Sequence, residues 1–79
     1  MNYVVTRFGQ TMSNQLAVEQ EELVAASPKS DAEWAEWYER LAAFWSKWTR
    51  DGWGDGSGSA RHAAAKAQQH REKIACLNG

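Results

Sequence analysis

The chain has 79 residues and a formal net charge of −1, with five tryptophans and a single cysteine. This length allows one domain near the lower limit for a self-sufficient core, and no apolar run approaches the ~20 residues that cross a bilayer. One cysteine excludes an intrachain disulfide and an ordinary cysteine-based zinc site, and it favours a reduced, cytoplasmic setting.

Residues 1–11 have the composition of a β-strand, with Tyr3, Val4, Val5 and Phe8. No later stretch of the chain has the pattern of a strand that could pair with this segment. Three interpretations stay open: a loose arm, a first turn that packs Val5 or Phe8 on the tryptophan-rich side of the second helix, or a strand that pairs with a second copy or with a partner's sheet edge. The sequence therefore predicts an N-terminal arm outside the helical fold.

A short first helix is predicted over residues 13–26. Ser13 is a suitable N-cap, and Leu16, Gln20, Leu23 and Val24 recur at helical spacing on one side, with Ala17 at its edge. Because this apolar face is narrow, we expect the helix to be a cover that docks on the rest of the fold.

The strongest pattern in the chain predicts a second helix over residues 31–51. Ser30 and Glu33 form a capping box at its start, and Gly52 supplies a left-handed residue at its end. Large apolar side chains recur at spacings of three and four and share one stripe: Trp34, Trp37, Tyr38, Leu41, Phe44, Trp45 and Trp48. A helix this apolar on one side must pack against other elements.

Residues 52–59 contain four glycines in eight positions and predict a flexible loop, in which Trp53 is unusual. Asp51 and Asp55 fall at two ligand positions of a calcium-binding loop. However, Trp53 and His62 occupy two positions where such a loop needs oxygen ligands. We therefore predict no metal site in this loop.

A third helix is predicted over residues 60–77. Its alanines recur at helical spacing, so a neighbouring backbone can approach while aromatic rings fill the gap. The predicted inner face consists of Ala60, Ala63, Ala64, Ala67, Arg71, Ile74 and Leu77. Packing against residues 31–51 would lay Arg71 over Trp37 or Tyr38. We therefore predict an all-α fold, an antiparallel hairpin of the two longer helices with the shorter helix docked on it.

Catalytic chemistry has little support in these residues. His62, His70 and Cys76 share the third helix, but none of them has a partner of suitable type at the spacing that a metal site or a nucleophile requires. The glutamates of the first helix fit a solvated face. We expect neither an enzyme nor a protein that binds a cofactor.

The aromatic stripe carries the main functional hypothesis. One alanine-faced helix and one narrow helix do not easily cover it, so tryptophan and tyrosine side chains should remain exposed, as they are at interaction hot spots. The alternative is that the whole stripe is core. The predicted partner-binding residues are Trp37, Tyr38, Trp45, Trp48 and Trp53, with Glu36 and Glu39 at the rim to steer a basic partner.

The sequence thus favours a small non-enzymatic module that binds and modulates a larger protein. Inhibitors and adaptors of this size are often encoded by phages and other mobile elements, which is an expectation of class only. One alternative is a structural homodimer. Another is a nucleic-acid-binding protein that uses the basic third helix through Arg61, Lys66, Arg71 and Lys73. Nucleic acid is less favoured because residues 1–58 hold nine acidic residues against five basic ones. A membrane surface is less favoured because the polar face of the second helix has balanced charge.

Overall fold

Three helices and a short β-hairpin make up the fold of residues 2–78, the part of the chain that the computed structural model describes. α2 and α3 pack along each other as an antiparallel hairpin, and α1 contacts α2, which confirms the predicted architecture. The molecule is 52 Å long and 22 by 16 Å across. In chain order the elements are β1 (Val4–Val5), β2 (Thr11–Met12), α1 (Asn14–Ala25), α2 (Asp31–Arg50) and α3 (Ser57–Asn78).

Local signals determine both ends of α2. At the start, the Ser30 hydroxyl oxygen accepts a hydrogen bond from the Glu33 N–H at 3.1 Å. At the end, Gly52 has a φ of +86°, and the Trp53 N–H donates to the Trp48 carbonyl oxygen at 3.3 Å. This pair of features is a Schellman motif, so the sequence prediction of the helix and its ends is confirmed.

The N-terminal segment differs from its prediction. Val4 pairs with Met12 and Val5 with Thr11 in an antiparallel β-hairpin, and Gly9 in the turn has a φ of +77°. The expectation that no pairing strand exists was wrong. The sequence analysis missed β2 because this strand is only two residues long and directly precedes α1. None of the three interpretations describes this hairpin: Val5 and Phe8 are 65 % and 49 % exposed, and the segment packs on the helices through Met12, which is 0 % exposed.

The core has two parts with different side chains. Between the hairpin, α1 and α2, the buried residues are Met12, Leu16, Leu23 and Phe44. Between α2 and α3, small side chains allow the backbones to approach closely, and Ala35, Ala63 and Ala67 are buried. The helical hairpin is as predicted, but the pairing of its stripes is not: Trp37, Leu41, Phe44, Trp45 and Trp48 of the aromatic stripe pack in the first part of the core, with the hairpin and α1.

The inner face of α3 is rotated relative to its prediction. It follows residues 60, 63, 67, 70 and 74, whereas Ala64, Arg71 and Leu77 are exposed, and Leu77 is exposed by 82 %. Successive spacings of three and four keep the first set on one stripe, while positions 64 and 71 lie about 80° and 60° from the centre of that stripe. His70 therefore takes the inward position that the sequence analysis assigned to Arg71.

α3 also begins earlier than predicted, at Ser57 rather than at residue 60. The Asp55 carboxylate accepts hydrogen bonds from the Ser57 hydroxyl at 2.7 Å and from the Ser57 N–H at 3.1 Å. These bonds hold the pKa of the Asp55 carboxyl below its ordinary value. The bond from the Ser57 N–H gives a partner to a first-turn donor that has none within the helix, which explains the earlier start of α3.

The glycine loop packs closely on α2. A Cβ atom at Gly54 would lie 2.3 Å from Trp48 Cη2, and one at Gly56 would lie 3.0 Å from Thr49 Oγ1. The Gly56 N–H also donates to Thr49 Oγ1 at 2.7 Å. Glycine at positions 54 and 56 thus allows the loop backbone to approach α2 closely, a role that the sequence analysis did not assign to these residues.

Candidate functional site

The residues of the predicted binding face fall into separate environments. Trp48 and Trp53 lie under the N-terminal hairpin. The Trp48 indole N–H donates to the Thr11 carbonyl oxygen at 3.0 Å, and the Trp53 ring lies 6.4 Å from the Tyr3 ring between centroids. The chain's own hairpin therefore occupies part of the surface that was predicted for a partner.

Tyr38 belongs to the contact between α2 and α3. The His70 ring stacks on Tyr38 at 5.7 Å and on Trp34 at 6.1 Å, in both cases with 16° between the ring planes. Its Nδ1 atom lies 2.8 Å from Asp31 Oδ1. These contacts join the start of α2 to the C-terminal half of α3.

The two predicted rim glutamates are also separated. Glu39 forms a bidentate ion pair with Arg71, whose Nε donates at 2.9 Å, and this hydrogen bonding holds the pKa of the Glu39 carboxyl below its ordinary value. Glu36 is exposed and lines a shallow depression with Trp37 and Arg40. Glu39 is thus engaged within the monomer, and Arg71 is no longer a free cation for nucleic acid.

The remaining basic residues of α3 do not form one patch. Arg61 and Lys73 are exposed, while Lys66 is half-buried. Arg61 and Lys66 are five residues apart, which separates them by about 140° around the helix. The geometry gives the nucleic-acid alternative no continuous phosphate-binding surface among these side chains.

Trp37 and Trp45 are the two predicted residues that line an open groove. The groove lies between the hairpin, α1 and α2 and has a volume of about 350 Å³. Two of its wall residues, Phe8 and Val24, are each exposed by 49 %. The complete lining is Phe8, Gln10, Gln20, Leu23, Val24, Trp37, Leu41 and Trp45. This surface, called the aromatic groove below, is largely apolar and is open in the monomer.

The walls of the aromatic groove are held by specific contacts. The Trp37 indole N–H donates to the Leu23 carbonyl oxygen at 2.8 Å, which ties the end of α1 to α2. Trp45 packs edge-to-face on Phe44 and Trp48, with centroids 5.0 and 5.4 Å apart. The groove is therefore largely pre-formed, which lowers the ordering cost of filling it.

The hairpin wall is attached to α1 by polar contacts. Arg7 and Glu21 form an exposed ion pair at 3.1 Å, and Gln20 Nε2 donates to Gln10 Oε1 at 2.7 Å. Gln20 is only 8 % exposed, and its Oε1 atom is buried without a hydrogen-bond partner among the described residues. It is the one buried polar side-chain atom in the described part of the chain with this property.

Sequence reasoning missed Phe8, Gln10 and Gln20 as site residues. Phe8 and Val24 were visible as apolar side chains, but their exposure depends on how the hairpin and α1 sit on α2. No local pattern in the sequence contains that information, because the groove joins residues from three elements.

The arrangement offers no metal chemistry within residues 2–78, where no group of three histidine, cysteine or acidic side chains is placed to hold an ion. In the same range, no helix is both long and apolar enough to cross a membrane. Comparisons of the chain with protein-family models, with curated proteins and with solved structures found no match. Its function is therefore argued from the aromatic groove itself.

Proposed function

We propose that this protein is a small non-enzymatic interaction module that binds a larger protein through the aromatic groove. The observation that supports the proposal is the groove itself, whose eight lining residues include six apolar ones from three elements. Pre-formed apolar pockets with a few polar groups are the usual places where proteins take up an anchor side chain. A single cysteine suits a reducing compartment, so we place the protein and its partner in the cytoplasm.

The free energy available from one anchor side chain favours a partner that makes contacts beyond the groove. One buried aromatic side chain removes roughly 150–250 Å² from water, which at ~25 cal/mol/Å² is about 4–6 kcal/mol before entropy is counted. Association itself costs an estimated 4–15 kcal/mol. An anchor in the groove would therefore need further contacts around it, which a folded protein or a long peptide provides. The proposal has two further parts: the module inhibits its partner or acts as an adaptor, and a phage or other mobile element encodes it.

The two alternatives receive less support. A homodimer built on the aromatic stripe would need Tyr38, Trp48 and Trp53, which already contact α3 or the hairpin within one chain. Nucleic-acid binding would need Arg71, which is paired with Glu39. Both alternatives thus require contacts of the monomer to be broken first.

Two exposed valines of α1 provide a matched test. Val24 lines the aromatic groove and is 49 % exposed, whereas Val18 lies on another face of the same helix and is 58 % exposed. A displayed library of random peptides would be selected against the wild-type protein. The binding of the selected peptides would then be measured for Val24→Arg and Val18→Arg by biolayer interferometry.

We expect Val24→Arg to weaken binding at least tenfold, because a cation replaces an apolar wall, while Val18→Arg leaves binding unchanged. Equal effects of the two variants, or a selection that yields no peptide sensitive to Val24→Arg, would contradict the proposed function. Circular dichroism of both variants confirms that they remain folded.

A further inference from the structure

We infer that the aromatic groove receives a tryptophan side chain of the partner, whose indole N–H donates a hydrogen bond to Gln20 Oε1. This inference rests on the proposed function, and it specifies the chemistry of the anchor that enters the groove. Two independent features of the groove support it: a buried acceptor that lacks a donor, and walls made of aromatic rings.

The unpartnered acceptor is the first feature. Gln20 is 8 % exposed, its Nε2 donates to Gln10 Oε1, and its Oε1 has no donor among the described residues. A buried acceptor without a donor is unfavourable, and a ligand that supplies the donor removes that penalty. Because Gln20 lines the groove, a donor on an apolar body is the ligand chemistry that suits this position.

Access to the acceptor needs only a small rearrangement. The last torsion of a glutamine side chain has a broad energy profile, so the Gln20 amide can turn and carry the buried Oε1 towards the groove. The turn gives up the 2.7 Å hydrogen bond from Nε2 to Gln10 Oε1, which the bond from the indole N–H would offset. Gln10, the hydrogen-bond partner of Gln20, is only half-buried and also lines the groove. Its amide can therefore follow that of Gln20 without disturbing the core.

The aromatic walls are the second feature. Phe8, Trp37 and Trp45 contribute rings from the hairpin turn and from α2, and aromatic pairs gain from edge-to-face and offset contacts beyond the area they bury. Tryptophan combines a large apolar body with a single donor and no acceptor. It therefore satisfies Gln20 Oε1 without introducing a polar atom that needs a partner of its own.

The test compares two probes of the same shape. A selected peptide that contains tryptophan carries the indole N–H, and the same peptide with 3-(3-benzothienyl)-L-alanine at that position replaces this group with sulfur. Each would be titrated into ¹⁵N-labelled protein, and affinities would be read from amide chemical shifts and from the Gln20 side-chain NH₂ signals. We expect the tryptophan probe to bind about fivefold more tightly, as for one neutral hydrogen bond.

Gln20→Leu is the deciding variant, because it replaces the amide, and with it the acceptor, by an apolar side chain of similar volume. We expect it to abolish the difference between the probes, and Gln20→Met serves the same purpose if leucine disturbs packing. Equal affinities of the two probes for the wild-type protein, a preference that persists in both variants, or the absence of binding at the groove would overturn the inference. Peptides that are sensitive to Val24→Arg but show no preference for tryptophan would overturn this inference alone and leave the proposed function intact.

Discussion

The Trp37 indole N–H donates a 2.8 Å hydrogen bond to the Leu23 carbonyl oxygen and so joins α2 to the last turn of α1. The Leu23 carbonyl oxygen also accepts from the Ala26 N–H at 3.3 Å, and the Trp37 bond gives its second lone pair a partner within the protein. The same ring forms a wall of the aromatic groove. One side chain thus positions α1 and shapes the candidate site.

Trp37→Phe should lower the free energy of unfolding by about 1–3 kcal/mol, because it removes the donor and part of a packed ring. Urea denaturation measures this loss, and hydrogen exchange of the α1 amides should increase most near Leu23. Trp34→Phe is the matched control, since the described residues include no acceptor for the Trp34 indole N–H. Comparable losses in the two variants would show that the hydrogen bond has no special role.

Gly54→Ala should destabilise the fold, because the new Cβ would lie 2.3 Å from Trp48 Cη2 and the ring would have to move. Overpacking of this kind costs about 1–3 kcal/mol. Gly58→Ala is the control: its Cβ would meet no atom within 4 Å, and alanine in a helix is favoured over glycine by up to about 1 kcal/mol. Thermal unfolding of both variants should therefore show opposite shifts, and a stable Gly54→Ala protein would exclude a close-packed loop.

Met12→Ala should lower the free energy of unfolding by about 2–5 kcal/mol, because Met12 is 0 % exposed and belongs to the core between the hairpin, α1 and α2. Val5 lies in the same hairpin but is 65 % exposed, so Val5→Ala should change stability by less than about 0.5 kcal/mol. Urea denaturation distinguishes the two. Similar small effects would mean that the hairpin is a loose arm after all.

The parts of the fold that could be predicted from the sequence are those that depend on residues close together along the chain. The cap at Ser30 and the left-handed Gly52 lie within one turn of the helix ends they define, so α2 was predicted nearly to the residue. The pairing of β1 with β2 involves two residues on each side, too few for a periodic pattern. His70 rather than Arg71 faces α2 because its ring stacks on Trp34 and Tyr38, which lie on that neighbouring helix.

The candidate site was predictable to a smaller extent. Trp37 and Trp45, which the sequence analysis placed on the binding face, are half-buried and line the groove. Whether Trp48 stays available depends on the hairpin, which the sequence analysis placed outside the fold. Gln20 was placed on the inner face of the covering helix with Leu16 and Leu23, but its unpartnered oxygen arises from packing with residues distant in the chain.

The ion pair of Glu39 and Arg71 predicts a pH dependence of stability. The hydrogen bond from Arg71 lowers the pKa of the Glu39 carboxyl in the folded protein from its ordinary value of 4.5. The pair therefore stabilises the fold above that value, and the stabilisation is lost as the pH falls through the lower, folded-state pKa. Both side chains are about half exposed, at 51 % for Arg71 and 48 % for Glu39, so salt should weaken the effect.

Glu39→Gln should reduce stability slightly at pH 7 and make the remaining loss of stability between pH 5 and pH 3 smaller than in the wild-type protein. Urea midpoints at the two ends of that range measure the difference. Glu22→Gln is the control, because Glu22 is exposed and forms no ion pair within the described residues. It should leave the pH dependence unchanged. If Glu39→Gln and the wild-type protein lose stability equally on acidification, the ion pair does not contribute to the packing of α3 on α2.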